Sequence, residues 1–309
     1  MKRFIKLTVL FLIPVVLFLF GLGFLAGGTT DPFYLRFTSP PQKNLIVGTS
    51  KSAQGIQPEV LEKELGIAFY NYSFTVSHSP YGRSYFESIK KKHNKEKGGT
   101  FIVSVDPWSI SSYCHDPNDE SQFRERNSCV AITENVNAFP NYEYLYKNLD
   151  GNYRHILIKA NDKILLHNDG WLEVFDIDMS SEEVQKRVTK KVKNYRSKYL
   201  QQAKLSQVRL HYLEQTISYF KEYGKVYLIR LPVSSSIYAI ENELMPDFDS
   251  IIEPMIEMSN GYLDMTPFNR DYIYTDGNHL YSESGAKASQ FIADWMNGVS
   301  RNLKPSQAE

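Results

Sequence analysis

The chain has 309 residues, 42% of them hydrophobic, which is enough to bury one large core or two small ones. Lys and Arg together number 35, and Asp and Glu also number 35, so the formal net charge at pH 7 is zero. This balance gives no reason to expect nucleic acid or another polyanion as a partner. Local features therefore have to indicate the function.

The N-terminus has the pattern of a membrane anchor. Three basic residues among the first six precede residues 7–26, which carry no charge and are long enough to cross a bilayer as a helix. A signal peptide cleaved near Ala26 and a buried soluble helix are the alternatives. The positive-inside rule places the basic end in the cytoplasm, so we expect residues 30–309 on the outer side of the membrane.

Strands and helices alternate along the rest of the chain. Short apolar runs rich in β-branched residues predict strands buried on both faces, at 44–49, 100–105 and 225–231. Helical periodicity predicts helices at 58–65, 81–96, 247–258 and 282–298. This order predicts an α/β fold with a doubly wound parallel sheet, flanked by helices, whose ligands bind at the carboxyl ends of the strands.

Residues 107–177 interrupt the alternation. Residues 107–153 are rich in Asn, Asp, Ser and Tyr, which is typical of a functional lid or a poorly ordered loop. Residues 154–177 predict a hairpin that turns at Asn161 and Asp162. We predict four parts in chain order: a cytoplasmic tip and anchor at 1–29, a linker at 30–43, the α/β domain at 44–299, and a tail at 300–309.

A single long helix is predicted from Ser180 to about Tyr223, where Gly224 ends the pattern. Seven Lys and Arg residues lie between Lys186 and Lys198. This basic run is either a solvated helix face or a surface for lipid head groups or an anionic envelope polymer.

The two cysteines, Cys114 and Cys129, lie in a polar, loop-like segment. In an oxidising compartment they are candidates for a disulfide. A zinc site that includes His115 and Asp116 is one alternative, and a pair of free thiols is another.

Ser50 follows the first predicted strand in a small, polar turn. A serine hydroxyl is a poor nucleophile unless a base takes its proton, and that base needs an orienting partner. Asp276 precedes His279 by three residues in a Gly-containing turn before the last helix, so their side chains can meet. Ser50 as a helix cap and Ser52 as the nucleophile are the alternatives.

The segments "IVGTS" and "DGNHL", the latter followed by "SESGAKAS", resemble the first and last blocks of the GDSL/SGNH hydrolase superfamily. The similarity covers roughly residues 44–295 in topology but only two short blocks in motif. It implies an SGNH-like three-layer fold, with Ser50 as nucleophile, His279 as general base and Asp276 as its orienter. It implies no metal and no organic cofactor.

The middle blocks depart from this pattern. Hydrolases of this type carry a Gly and an Asn that help to form the oxyanion hole, and "FYNYSFT" and "VSVDPWS" have neither at the expected place. The backbone N–H of Lys51 and the side chains of Asn71 and Ser73 are the candidate donors, whereas an ionised Asp106 cannot donate. Losing one donor typically lowers the rate about a hundred- to a thousandfold.

An anchor followed by divergent middle blocks resembles the envelope branch of the superfamily, which includes the D-alanyl transfer protein of teichoic acid synthesis and alginate-type O-acetyltransferases. That resemblance implies an acyl-enzyme on Ser50, an envelope glycan or an acylated small molecule as substrate, and a membrane acyltransferase as a possible partner. The alternatives are an inactive module that binds polysaccharide or scaffolds an acyltransferase complex, and an anchored interaction protein that uses the basic helix.

Two further side chains are candidates for substrate binding. Arg230 lies inside an apolar strand, where a charge needs a carboxylate partner or a position facing the site. Trp108 lies in the insertion, where aromatic rings either stack on sugars or pack the loop onto its domain. The tyrosines that share this pattern are Tyr113, Tyr142, Tyr144 and Tyr146.

Overall fold

The computed structural model describes residues 1–149, 153–158 and 163–298. Its strands are β1 (Leu45–Val47), β2 (Tyr70–Asn71), β3 (Gly99–Ser104), β4 (Ser111–Ser112), β5 (Ile164–Leu166), β6 (Leu172–Val174), β7 (Lys204–Leu205), β8 (Gly224–Arg230) and β9 (Tyr262–Asp264). Its α-helices are α1 (Lys2–Leu22), α2 (Ser50–Gly55), α3 (Pro58–Leu65), α4 (Arg83–Lys92), α5 (Cys129–Ile132), α6 (Tyr142–Asn148), α7 (Arg154–Leu157), α8 (Ser181–Asn194), α9 (Leu200–Gln202), α10 (Gln207–Tyr223), α11 (Ser235–Leu244), α12 (Phe248–Met258) and α13 (Ser282–Met296).

The central sheet has the order β2-β1-β3-β8-β9, and every neighbouring pair in it is parallel. This is a doubly wound order, in which the strand sequence reverses beside β1. The predicted α/β fold with a doubly wound parallel sheet is therefore confirmed, with β1, β3 and β8 at the three predicted runs. All five carboxyl ends meet at one edge of the sheet, where ligands bind in folds of this kind.

Alternate side chains of each strand enter opposite apolar layers. Val103 packs in the layer that contains Phe220 of α10, and Ile102 packs in the layer that contains Ile292 of α13. All four side chains are fully buried, and burial of each contributes roughly 1.5–3 kcal/mol. The helices predicted at 58–65, 247–258 and 282–298 are present as α3, α12 and α13.

The prediction of one helix from Ser180 to Tyr223 is wrong. The helix ends after α8, a π-helical turn (Tyr195–Tyr199) and α9, and β7 then pairs with β4 before α10 begins. Ser206 starts the second helix, because its side chain accepts from Arg209 N at 3.3 Å. The shift in apolar face along this segment therefore marks a break between two helices.

The predicted hairpin is also corrected. Residues Arg154–Leu157 form the helical turn α7, and the hairpin consists of β5 and β6, which pair in antiparallel register. Its turn lies before Leu172, where Asp169 Oδ1 accepts from Trp171 N at 3.0 Å. The predicted turn at 161–162 and the predicted tail at 300–309 lie outside the described residues.

Together, α1 and the turn after it, Lys2–Leu25, form a helical stretch long and apolar enough to cross a membrane. The chain that follows it packs into the domain, although residues 30–43 are predicted to be a linker. Tyr34 and Phe37 are fully buried, and the buried Arg36 donates to Asn71 O at 3.2 Å and to Gly170 O at 2.7 Å.

Candidate active site

Ser50 lies at the carboxyl end of β1, as the first residue of α2. The turn before it requires glycine, because Gly48 has a φ of +156° and a Cβ there would lie 2.4 Å from Ser52 Oγ and 2.8 Å from Ser104 Cβ. Ser79 Oγ donates to Gly48 O at 2.7 Å and holds this turn. A tight turn therefore follows β1 and places the Ser50 hydroxyl at the carboxyl edge of the sheet.

The turn from Asp276 to His279 is fixed by its own backbone. Asp276 Oδ1 accepts from Asn278 N and from His279 N, both at 3.0 Å. Gly277 adopts a φ of +84°, and its carbonyl accepts from Ser234 N at 2.8 Å. These contacts set the direction of the Asp276 carboxylate and the His279 ring just before α13.

Ser50, His279 and Asp276 are brought together by the fold. His279 Nε2 lies 2.9 Å from Ser50 Oγ, and His279 Nδ1 lies 3.0 Å from Asp276 Oδ2. The ionised carboxylate accepts only, so Nδ1 carries the proton that it donates to Asp276. Nε2 then carries the lone pair that accepts the Ser50 proton, which is the arrangement that nucleophilic catalysis by serine needs, and Asn278 Nδ2 lies 3.2 Å from the same nitrogen.

Lys191 of α8 also contacts this carboxylate, with Nζ 2.7 Å from Asp276 Oδ2. Burial favours the neutral acid, but the contacts with His279 and Lys191 hold the pKa of Asp276 well below its usual range. Arg187 Nε, on the same helix, donates to Thr275 O at 2.7 Å. Two residues of the basic run, Arg187 and Lys191, thus hold α8 against the turn that carries Asp276. The sequence pattern of the run does not indicate this contact.

A cavity of about 200 Å³ opens beside Ser50 and His279. It is smaller than a typical pocket for a drug-sized ligand, so it suits an acyl group and the nearest part of its carrier. Its lining is aromatic and cationic, and among the described residues no Asp or Glu borders it. The side chains that give it this character are Tyr113, Arg124, Lys191, Tyr195 and Tyr199.

Two of the three candidate oxyanion donors direct their polar hydrogens to carbonyl groups inside the fold. Both N–H groups of the Asn71 amide are used, donating to Ser52 O at 2.8 Å and to Ile56 O at 2.9 Å. Ser73 is fully buried, with its hydroxyl directed at Ile46 O. The backbone N–H of Lys51 remains, because the first turn of a helix leaves such groups without an intrahelical acceptor.

The side chain of Lys51 enters a buried ionic network beneath the site. Lys51 Nζ contacts Glu241 and lies 3.4 Å from Asp106 Oδ2, and Arg230 Nη2 lies 3.6 Å from Glu241 Oε2. Arg230 also has Asp249 at 3.7 Å and does not border the cavity. Arg230 therefore has the structural ion pairs that one of its two predicted interpretations required.

Trp108 packs against Tyr195, which borders the cavity. Its side chain is buried, and its ring meets the Tyr195 ring edge-on with centroids 4.7 Å apart. It does not border the cavity next to Ser50, and its contacts fit the packing role, which is one of its two predicted interpretations. Tyr113, from the same insertion, does border the cavity.

Cys114 and Cys129 are both free thiols in the structure. Cys129 is buried in the core, and Cys114 donates to Gln122 O at 3.2 Å. Of the three predicted alternatives, the structure therefore shows the unpaired thiols.

Within 1–149, 153–158 and 163–298, no three His, Cys, Asp or Glu side chains form a group that can hold a metal.

The sequence matches no protein family model, and no curated protein matches it. Among solved structures, the chain is similar to a carbohydrate acetylesterase family member from Sinorhizobium meliloti. The sequence identity is 8% and the TM-score is 0.34, over 83% of this chain and 100% of that one.

Proposed function

We propose that this chain is a membrane-anchored, extracytoplasmic enzyme that uses Ser50 for acyl transfer or ester hydrolysis on a glycan or polymer of the cell envelope. One observation carries the proposal. The Ser50 hydroxyl lies 2.9 Å from His279 Nε2, and the other ring nitrogen of His279 lies 3.0 Å from Asp276. These three side chains provide a nucleophile, a general base and its orienter.

The reaction has two halves. Ser50 Oγ attacks the acyl carbonyl while His279 Nε2 takes its proton, and Asp276 stabilises the resulting imidazolium. His279 then gives the proton to the leaving alcohol, which leaves an acyl group on Ser50. In the second half His279 deprotonates an acceptor hydroxyl, that oxygen attacks the acyl carbonyl, and Ser50 departs with the proton. The N–H of Lys51 is available to the oxyanion in both halves.

The cavity supports a glycan as the acceptor. Tyrosine rings offer apolar faces with a polar edge, which suits sugar rings, and Arg124 and Lys191 suit a substrate with a negative group. Hydrolysis and transfer differ only in whether water or a polymer hydroxyl resolves the acyl-enzyme. Transfer requires an activated acyl donor, which a membrane acyltransferase partner is suited to supply.

α1 and the basic residues ahead of it support the location. The helix is long enough to span a bilayer, and the positive-inside rule then puts the domain outside the cytoplasm. External protease added to intact cells should digest the domain. Digestion only after the cells are opened would contradict the proposed location.

An inactive carbohydrate-binding module is the second candidate. It is favoured by the two amide N–H groups of Asn71, which are both occupied in the interior and so cannot stabilise an oxyanion. One missing donor lowers the rate about a hundred- to a thousandfold, so an incomplete oxyanion hole suits a protein that binds without reacting.

Covalent labelling with a fluorophosphonate probe tests the two candidates. The full chain in detergent should label at Ser50, and Ser50→Ala and His279→Ala should abolish the labelling. Ser77→Ala is the matched control, because Ser77 borders the same cavity and should be dispensable. If the folded wild-type chain is not labelled, the proposal of an enzyme fails and the binding module replaces it.

A further inference from the structure

Exposed apolar side chains of the domain are concentrated in one segment. Beyond Leu25, five large apolar side chains of the described residues are exposed. Four of them lie between residues 139 and 158: Phe139 at 57%, Tyr146 at 77%, Leu157 at 61% and Ile158 at 65%. The fifth, Ile273 at 55%, lies in the segment that leads to the Asp276 turn. Clustered exposed apolar residues mark interaction sites, whereas isolated ones do not.

This segment lies against the end of α1. The Tyr142 ring stacks on the Phe20 ring with centroids 4.4 Å apart, and its hydroxyl donates to Phe20 O at 2.6 Å. Phe24 meets Phe139 edge-on at 6.3 Å, and α7 contacts the turn Gly23–Leu25. Phe24 and Leu25 are themselves exposed, so the apolar surface continues from the helix onto the domain.

The domain is held at this position by its packed connection to α1. The uncharged residues 7–26 would be about 30 Å long as a helix, close to the roughly 30 Å of a bilayer's hydrocarbon core, so the turn Gly23–Leu25 marks the boundary with the head groups. The chain enters the fold directly, since Ala26 is buried and Gly28 O accepts from Leu166 N at 3.1 Å. The segment beside α1 therefore stays near the level at which the helix ends.

We propose that Phe139, Leu157 and Ile158, together with Phe24 and Leu25, insert into the boundary between lipid head groups and acyl chains. The domain then rests on the bilayer instead of standing free above it. This inference rests on the proposed anchoring by α1. The exposed Arg154 lies one turn before Leu157 on α7, where its guanidinium reaches the phosphates while its stem covers apolar surface.

Quenching by brominated lipid tests the inference in the full chain. Phe139→Trp and Leu157→Trp are reconstituted in phosphatidylcholine vesicles with plain or brominated acyl chains, and the signal of the three native tryptophans is subtracted using the parent protein. Leu12→Trp reports whether α1 enters the bilayer. Ile273→Trp is the matched control, since it is equally apolar and similarly exposed but distant from α1 in the chain.

We expect bromine to quench tryptophan strongly at position 12, clearly at 139 and 157, and hardly at 273. Quenching at 12 with none at 139 and 157 overturns the inference and leaves the anchor intact. Blue-shifted but unquenched emission at 139 and 157 overturns it in favour of a protein partner or a second copy on this surface. No quenching at 12 removes the anchor and the inference together, while the labelling of Ser50 still reports separately on the enzyme.

Discussion

Lys191 and His279 contact the same carboxylate oxygen, with Lys191 Nζ 2.7 Å and His279 Nδ1 3.0 Å from Asp276 Oδ2. Lys191 belongs to α8, whereas Asp276 and His279 belong to the turn that precedes α13. The ammonium therefore fixes the orienting group from outside its own turn, and the position of α8 becomes part of the geometry of the site.

Replacing Lys191 should slow the chemistry. We expect Lys191→Met to lower fluorophosphonate labelling and hydrolysis of 4-nitrophenyl acetate roughly ten- to a hundredfold, because the carboxylate that orients His279 loses a contact. Lys191→Arg should recover most of the rate. Lys193→Met removes the same charge from an exposed position of α8 and should have little effect. Equal rates in all three variants would contradict the positioning role.

Asp276 should contribute to stability above its usual pKa of 3.8. Burial opposes its ionisation, but His279 and Lys191 lower the pKa of the folded carboxyl, so the folded state binds fewer protons than the unfolded state in acid. The contribution is complete above 3.8 and declines as the pH falls below it, by about 1.4 kcal/mol per pH unit. The free energy of unfolding can be measured by urea titration for the wild type and for Asp276→Asn. The gap between the two values should narrow as the pH falls below 3.8. A gap that stays constant as the pH falls from 4 to 2 would refute it.

Gly48→Ala should destabilise the fold by about 1–3 kcal/mol, because the added methyl meets Ser52 Oγ and the buried Ser104. The free energy of unfolding from urea titration measures this effect. Gly27→Ala is the control, since a Cβ there has nothing within 4 Å. Similar losses at both positions would show that the crowding at Gly48 is not the cause.

Glu241→Gln should destabilise the domain by about 3–5 kcal/mol, because it leaves the buried charges of Lys51 and Arg230 short of a carboxylate. Glu243→Gln on the same helix breaks a surface pair with Arg196 and should cost less than about 1 kcal/mol. Both variants make the same Glu→Gln change, but the Glu241 side chain is buried and the Glu243 side chain is exposed. Denaturation curves that coincide would show that the network beneath Ser50 contributes little.

The sequence predicted the sheet and three of the site residues for local reasons. β1, β3 and β8 are short, nearly continuous apolar runs, and burial on both faces of a parallel sheet produces such runs. Asp276 and His279 belong to one turn, and Ser50 ends a recognisable strand. Each of these patterns is complete within a few residues of the chain, so one sequence is enough to detect it.

Contacts made across the fold were not predictable in this way. Lys191 reads as one of seven basic residues on a surface helix, and only the packing of α8 onto the Asp276 turn distinguishes it. Asn71 occupies a plausible place as the last residue of β2, but its amide turns inward to Ser52 O and Ile56 O. Sequence spacing gives no information about which direction such a side chain takes.

The packed segment after α1 has a consequence for processing of the chain. A peptidase cleaves an extended backbone, but here Ala26 is buried and a Cβ at Gly28 would lie 2.0 Å from Leu166 O. Packing of the β5–β6 hairpin on residues 26–28 therefore makes this part of the backbone inaccessible to a peptidase. If the chain is exported as proposed, cleavage after α1 has to precede this packing, and a molecule that folds first keeps its anchor.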